Sequence, residues 1–115
     1  MTVKLNEAGF RHAKKLIREG KVVRDERDDW SEHALPAKEE TAWREKHGWD
    51  EYADWHLGID TEANEETKAR FEFPVGDYSK VHRCAVISME SRAAQYDHDD
   101  IAQASKELLE LIDGD

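Results

Sequence analysis

The stretch TKARFEFPVGDYSKVHRCAV (residues 67–86) decides the fold class, because the hydrophobic period changes within it. Phe71, Phe73 and Val75 alternate with Glu72 and Pro74, the period of a strand buried on one face. Pro74 lacks the amide N–H that a central ladder needs, which confines this strand to an edge. Gly76-Asp77 then turns the chain. Ser79 is placed to cap a long helix in which Val81, Ala85, Met89, Ala93 and Tyr96 share a face, with Cys84 alongside. The stretch therefore predicts one short β element near residues 70–76 inside a chain that is otherwise helical.

Downstream, His98-Asp99-Asp100 breaks the helix, and Asp99 or Asp100 caps the next one. There Ile101, Ala104, Leu108, Leu111 and Ile112 form the most regular apolar stripe of the chain. The short connection makes these last two helices an antiparallel pair. Upstream, Asn6 is the expected cap of an amphipathic helix with Phe10, Ala13, Leu16 and Ile17 on one face. Arg11, Lys14, Lys15 and Arg18 lie opposite, and Gly20 stops it. Val22-Val23 reads as a short extended connection, and residues 24–33 (RDERDDWSEH) as a polar loop holding Trp30. Helix-favouring residues run from Pro36 to His47. Trp49, Tyr52, Ala53, His56 and Leu57 then fit a short helix that Gly58 ends, and Thr61 or Asn64 offers another helix start. The expected fold is mainly α: a single domain over residues 1–115, with about five helices and at most one short β element.

A chain of 115 residues supports one modest core, removing roughly two-thirds of its surface from water. The charged and apolar fractions are both 38%, and the net charge is −10. That charge is segregated. Residues 1–27 carry a net +4, residues 28–66 a net −10, residues 67–92 a net +2 and residues 93–115 a net −6. Only the first helix offers the basic surface that phosphate binding requires, so neither nucleic acid nor an anionic membrane is an expected partner. No apolar run approaches a membrane span, and the one cysteine, Cys84, forms no internal disulfide and fits a reducing compartment.

The catalytic signatures sought are absent. There is no glycine-rich phosphate loop, nucleophile elbow, C-x-x-C pair, H-E-x-x-H or Glu-x-x-His. No cofactor and no metal are expected. The loop triplet His98-Asp99-Asp100 is the best-placed metal alternative, although helix capping already accounts for its aspartates. His56, on an apolar face, reads as a hydrogen-bonded core histidine.

Four strings, GKVVRDERDDWSEH (20–33), EYADWHLGID (51–60), TKARFEFPVGDYSKVHRCAV (67–86) and ESRAAQYDHDDIAQAS (90–105), resemble those of a family of small, standalone, uncharacterised bacterial proteins. Residues 67–95 are also similar to stretches of phage-associated proteins of unknown role. The resemblance covers about half of the chain. It implies a bacterial cytoplasmic protein and carries no activity over to any residue.

Two functional expectations follow. The first is a non-enzymatic protein–protein interaction module, or a self-associating one, with Arg11, Lys14, Arg18, Trp49 and Trp55 facing the partner. The alternative is a small-anion-binding domain or enzyme, in which Arg70, Lys80, His82 and Arg83 converge on one pocket and His82 serves as acid or base.

Overall fold

The apolar stripes at the two ends of the chain become helices that frame the molecule. The computed structural model describes residues 3–24, 36–64 and 67–114. Helix α1 spans Glu7–Arg18 and buries Ala13, Leu16 and Ile17. Two further helices, α4 (Arg83–Gln95) and α5 (Asp99–Asp113), pack against each other as an antiparallel pair. The start of one meets the end of the other: Arg83 Nε donates to Asp113 Oδ1 at 2.8 Å and Arg83 Nη2 to Asp113 Oδ2 at 3.2 Å. Helix α2 (Ala37–His47) follows Pro36, buries none of its residues fully and rests on Trp43. Helix α3 is short, Trp49–Ala53. Among the described residues, no helix is long and apolar enough to cross a membrane.

Helices hold most of the described residues, yet the expected mainly α fold with at most one short β element is not what forms. The fold is mixed α and β, with five short strands among the described residues: β1 (Val3–Leu5), β2 (Val22–Val23), β3 (His56–Asp60), β4 (Phe71–Pro74) and β5 (Val81–His82). Strands β1, β3 and β4 form an antiparallel sheet in the order β1-β3-β4, with Leu5 opposite Gly58 and Gly58 opposite Glu72. Strands β2 and β5 form a separate parallel ribbon, Val22 opposite Val81 and Val23 opposite His82.

Three features hide these strands from the sequence. The central strand β3 is covered on both faces, with only Ile59 partly exposed, so it shows no alternation. Its first residues happen to continue the helical period of Trp49, Tyr52 and Ala53, which is why the expected helix overran it. The edge strand β4 does alternate, and Pro74 sits at the edge as expected. The expected long helix from Ser79 instead begins at Arg83. Asp77 Oδ1 accepts the backbone N–H groups of Ser79 and Lys80, and Tyr78 adopts φ 66°, which together keep the chain in a turn until β5.

The expected caps serve as ties between distant elements. The side chain of Asn6 makes no cap bond to α1. Its Nδ2 donates to the carbonyls of Ala53 (2.9 Å) and His56 (3.1 Å), while its backbone N–H donates to Leu57 O at 2.7 Å. Asp100 Oδ2 accepts the Leu5 N–H at 2.9 Å, joining β1 to α5. Gly9 permits the same closeness, because a β-carbon there would collide with the carbonyl oxygen of His56. Thr61 and Asn64 start no α-helix; a 3₁₀ turn at Lys68–Arg70 leads into β4. The polar-loop expectation for residues 24–33 falls, beyond Arg24, outside the described residues.

Candidate functional site

Beside β4, four elements and a turn bring tyrosine, histidine, glutamate and lysine into one cluster, Lys68 coming from the 3₁₀ turn. Tyr52 comes from α3, His56 from β3, Glu40 from α2 and Tyr78 from the β4–β5 turn. The rings of Tyr52 and Tyr78 stack at 5.6 Å with 11° between planes, and Trp43 leans on Tyr78 at 4.8 Å. His56 is 3% exposed, and its Nδ1 lies 2.8 Å from the carbonyl oxygen of Tyr52. A carbonyl only accepts, so Nδ1 carries the proton and Nε2 is the bare acceptor, facing the Tyr78 hydroxyl at 3.4 Å. The Tyr52 hydroxyl donates to Glu40 Oε1. Lys68 Nζ lies 3.6 Å from the same oxygen and donates to Ala37 O at 3.2 Å.

Burial governs the acid–base behaviour of this cluster. It pushes the His56 imidazole down to about 4, against weaker opposing help from the Tyr52 carbonyl, so the ring is neutral at neutral pH. It pushes both phenols well above the ordinary tyrosine range. For Tyr52 the hydrogen bond to Glu40 adds to burial; for Tyr78 the neighbouring Tyr52 and Glu40 do. His56 and the two phenols are therefore engaged in their neutral forms.

A cleft of about 270 Å³ opens over the cluster, walled by Tyr52, Phe71 and Phe73 and rimmed by Glu40, Lys68 and Arg92. A second cleft of about 350 Å³ adjoins it, sharing Glu72, Phe73 and Arg92 and adding Val3, Tyr96 and His98. Tyr96 is 60% exposed. Phe73, the partition between the clefts, has φ 62°, a left-handed backbone that a bulky residue adopts at a cost of about 1–3 kcal/mol. Gly58 makes room for it: a β-carbon there would lie 2.6 Å from Phe73 Cδ2. Arg92 sits over the Phe73 ring at 5.9 Å and His98 meets it edge-on at 5.6 Å. Among the described residues, Glu72 Oε2 and Arg44 Nε are buried without a hydrogen-bond partner.

None of the four residues of the anion-pocket expectation, Arg70, Lys80, His82 and Arg83, lines the clefts described above. Arg70 Nη1 donates to Ala63 O at 3.0 Å, and Arg83 pairs with Asp113. His82 is buried with its Nε2 2.9 Å from Asp77 Oδ2, while Lys80 is exposed. Of the five expected partner-facing residues, Trp55 is 6% exposed and packs in the core against His12 and Tyr78. Trp49 is half-buried beneath the Arg44 guanidinium, 4.4 Å from its ring. Arg11 and Arg18 are exposed, and Lys14 Nζ lies 4.3 Å over the Phe10 ring. Lys14 and Arg18 line a third groove, of about 320 Å³, with Glu107, Glu110 and Leu111. Asp100 is engaged with β1, and among the described residues no group of three or more His, Cys, Asp or Glu side chains is placed to hold a metal ion.

The cluster around His56 escapes sequence reasoning because Glu40, Tyr52, Lys68 and Tyr78 belong to different elements. The density of aromatics between Trp43 and His56 is its one sequence signal. No family model, curated protein or solved structure matches the chain.

Proposed function

We propose that the protein is a non-enzymatic interaction module of the bacterial cytoplasm, and that the paired clefts flanking Phe73 receive side chains of a protein partner. One observation carries this reading. Glu40, Tyr52, His56 and Tyr78 under the cleft are engaged with one another, with His56 neutral, while the wall is aromatic with Glu72, whose Oε2 has no hydrogen-bond partner among the described residues, and the rim carries mixed charge. A general acid or base needs a titrating group free to meet a substrate, whereas a binding surface needs a rigid aromatic wall and rim charges that select a partner. The left-handed Phe73 supports the same reading, since backbone strain of this kind gathers at binding and catalytic sites.

The test is affinity capture from bacterial cytoplasm at two salt concentrations, with the native chain and a Lys68→Glu/Arg92→Glu variant side by side. A stoichiometric, salt-sensitive partner held by the native chain and lost by the variant is the expected result. A clean native lane, or a partner held equally by both chains, overturns the reading.

A further inference from the structure

Helices α1 and α5 lie side by side, and the groove between them carries opposite charges on its two banks. Lys14 and Arg18, one helical turn apart on α1, form the basic bank. Glu107 and Glu110, three residues apart on α5, form the acidic one, and half-buried Leu111 lines the same groove. Among the described residues, no ion pair joins the two banks; Lys14 is instead laid over Phe10.

We propose that this groove is a self-association surface and that its occupant is a second copy of the chain. Parallel strips of opposite sign are complementary to themselves after a half-turn, so a two-fold axis sets each copy's Lys14 and Arg18 against the other's Glu107 and Glu110. The overall charge narrows the choice further. Two chains of net charge −10 repel at long range, and a surface containing a basic strip offsets that repulsion locally. The α1 segment supplies that strip, with a net +4 over residues 1–27. The surface is separate from the clefts at Phe73, so either proposal can fail without the other.

Salt alone does not decide the matter, because it screens both the local attraction and the global repulsion. Charge exchange does. The oligomeric state of the full chain is measured by sedimentation equilibrium for the native protein, for Lys14→Glu/Arg18→Glu, for Glu107→Lys/Glu110→Lys and for an equimolar mixture of the two variants. The native chain is expected to be a dimer. Each variant alone faces like charge across the axis and loses affinity by about a hundredfold or more. The mixture regains the dimer, because an all-acidic groove then meets an all-basic one. If net charge alone governed association, the glutamate-to-lysine variant, being less acidic, would associate more strongly than the native chain. That result overturns the proposal, as does a monomeric native chain or a mixture that stays monomeric. Helix content by circular dichroism confirms that each variant is folded. Should a reversal unfold the chain, the neutral Lys14→Gln/Arg18→Gln pair replaces it and is expected to weaken the dimer to an intermediate degree.

Discussion

Asp77 and His82 clamp the turn between β4 and β5 from both sides: one carboxylate oxygen lies 2.9 Å from His82 Nε2, and the other accepts the N–H groups of Ser79 and Lys80. Burial alone would raise this carboxyl, but the bond to His82 and the two backbone donors outweigh it and hold it below the usual carboxylate range. Because the folded value is depressed, the stabilisation is complete above the unfolded value of about 3.9 and is lost as pH falls through the lower folded value. Asp77→Ala is expected to lower the melting temperature at pH 7 and to flatten the acid limb of the native stability curve below about pH 4. Thermal melts of both chains across pH 2–7, a range set by that carboxylate window, check this; an unchanged acid limb counts against the clamp.

His56 produces a separate pH dependence. Its folded value of about 4 lies below the unfolded value of about 6.5, so the unfolded chain takes up a proton that the folded one refuses. Stability therefore falls as pH drops from about 6.5 to about 4, by on the order of a few kcal/mol in full. His56→Asn, whose amide can still donate to the Tyr52 carbonyl, is expected to remove that slope even though the variant is less stable overall. Urea unfolding of both chains at several pH values tests it. A slope that persists in the variant assigns the effect to another group.

Gly9 offers a test of the α1–β3 contact in which two principles predict opposite signs. Alanine is favoured over glycine in a helix interior by about 1 kcal/mol. Here the added β-carbon collides with the His56 carbonyl, a backbone atom held in the sheet. Gly9→Ala is expected to destabilise the chain by about 1–3 kcal/mol, read as a lower midpoint in urea. A stabilised variant would mean that α1 sits farther from β3.

Tyr52 and Tyr78 are coupled by their stacked rings and by the polar run from His56 to Glu40. Tyr78→Phe removes the hydroxyl that hydrogen-bonds Tyr52 and faces the buried His56 Nε2, an expected loss of about 1–3 kcal/mol. Tyr52→Phe costs less, because Glu40 keeps Lys68. The double variant is expected to lose measurably less or more than the two single losses combined, and denaturant unfolding of all four chains measures the coupling. Strict additivity would show that the two hydroxyls act independently.

The legible parts of this fold are the surfaces with one wet side. Helices α1 and α5 announce themselves because Leu16, Ile17, Leu108 and Ile112 face the core while charges face water. Strand β4 shows through Phe71 and Phe73 for the same reason. Strand β3 does not, since both of its faces are covered and Gly58 interrupts its apolar run. The two-residue strands β2 and β5 are too short to show any period; β2 forms by pairing with β5, which also bridges Gly76. The candidate site is legible only in part. Tyr52 and His56 stand in an aromatic-rich stretch, but their pairing with Glu40, Lys68 and Tyr78 is created by strand order, which local sequence does not encode.

The tie between Leu5 and Asp100 spans 95 positions, and β1 finds its strand partner only in β3. On the ribosome, where synthesis runs from the amino end, β1 therefore emerges long before the groups that hold it. Its neighbour α1 must wait with its apolar stripe uncovered until β3 and α5 have left the exit tunnel. For a chain of this size that means the contacts closing the amino-terminal half are among its longest in sequence, the kind that form slowly.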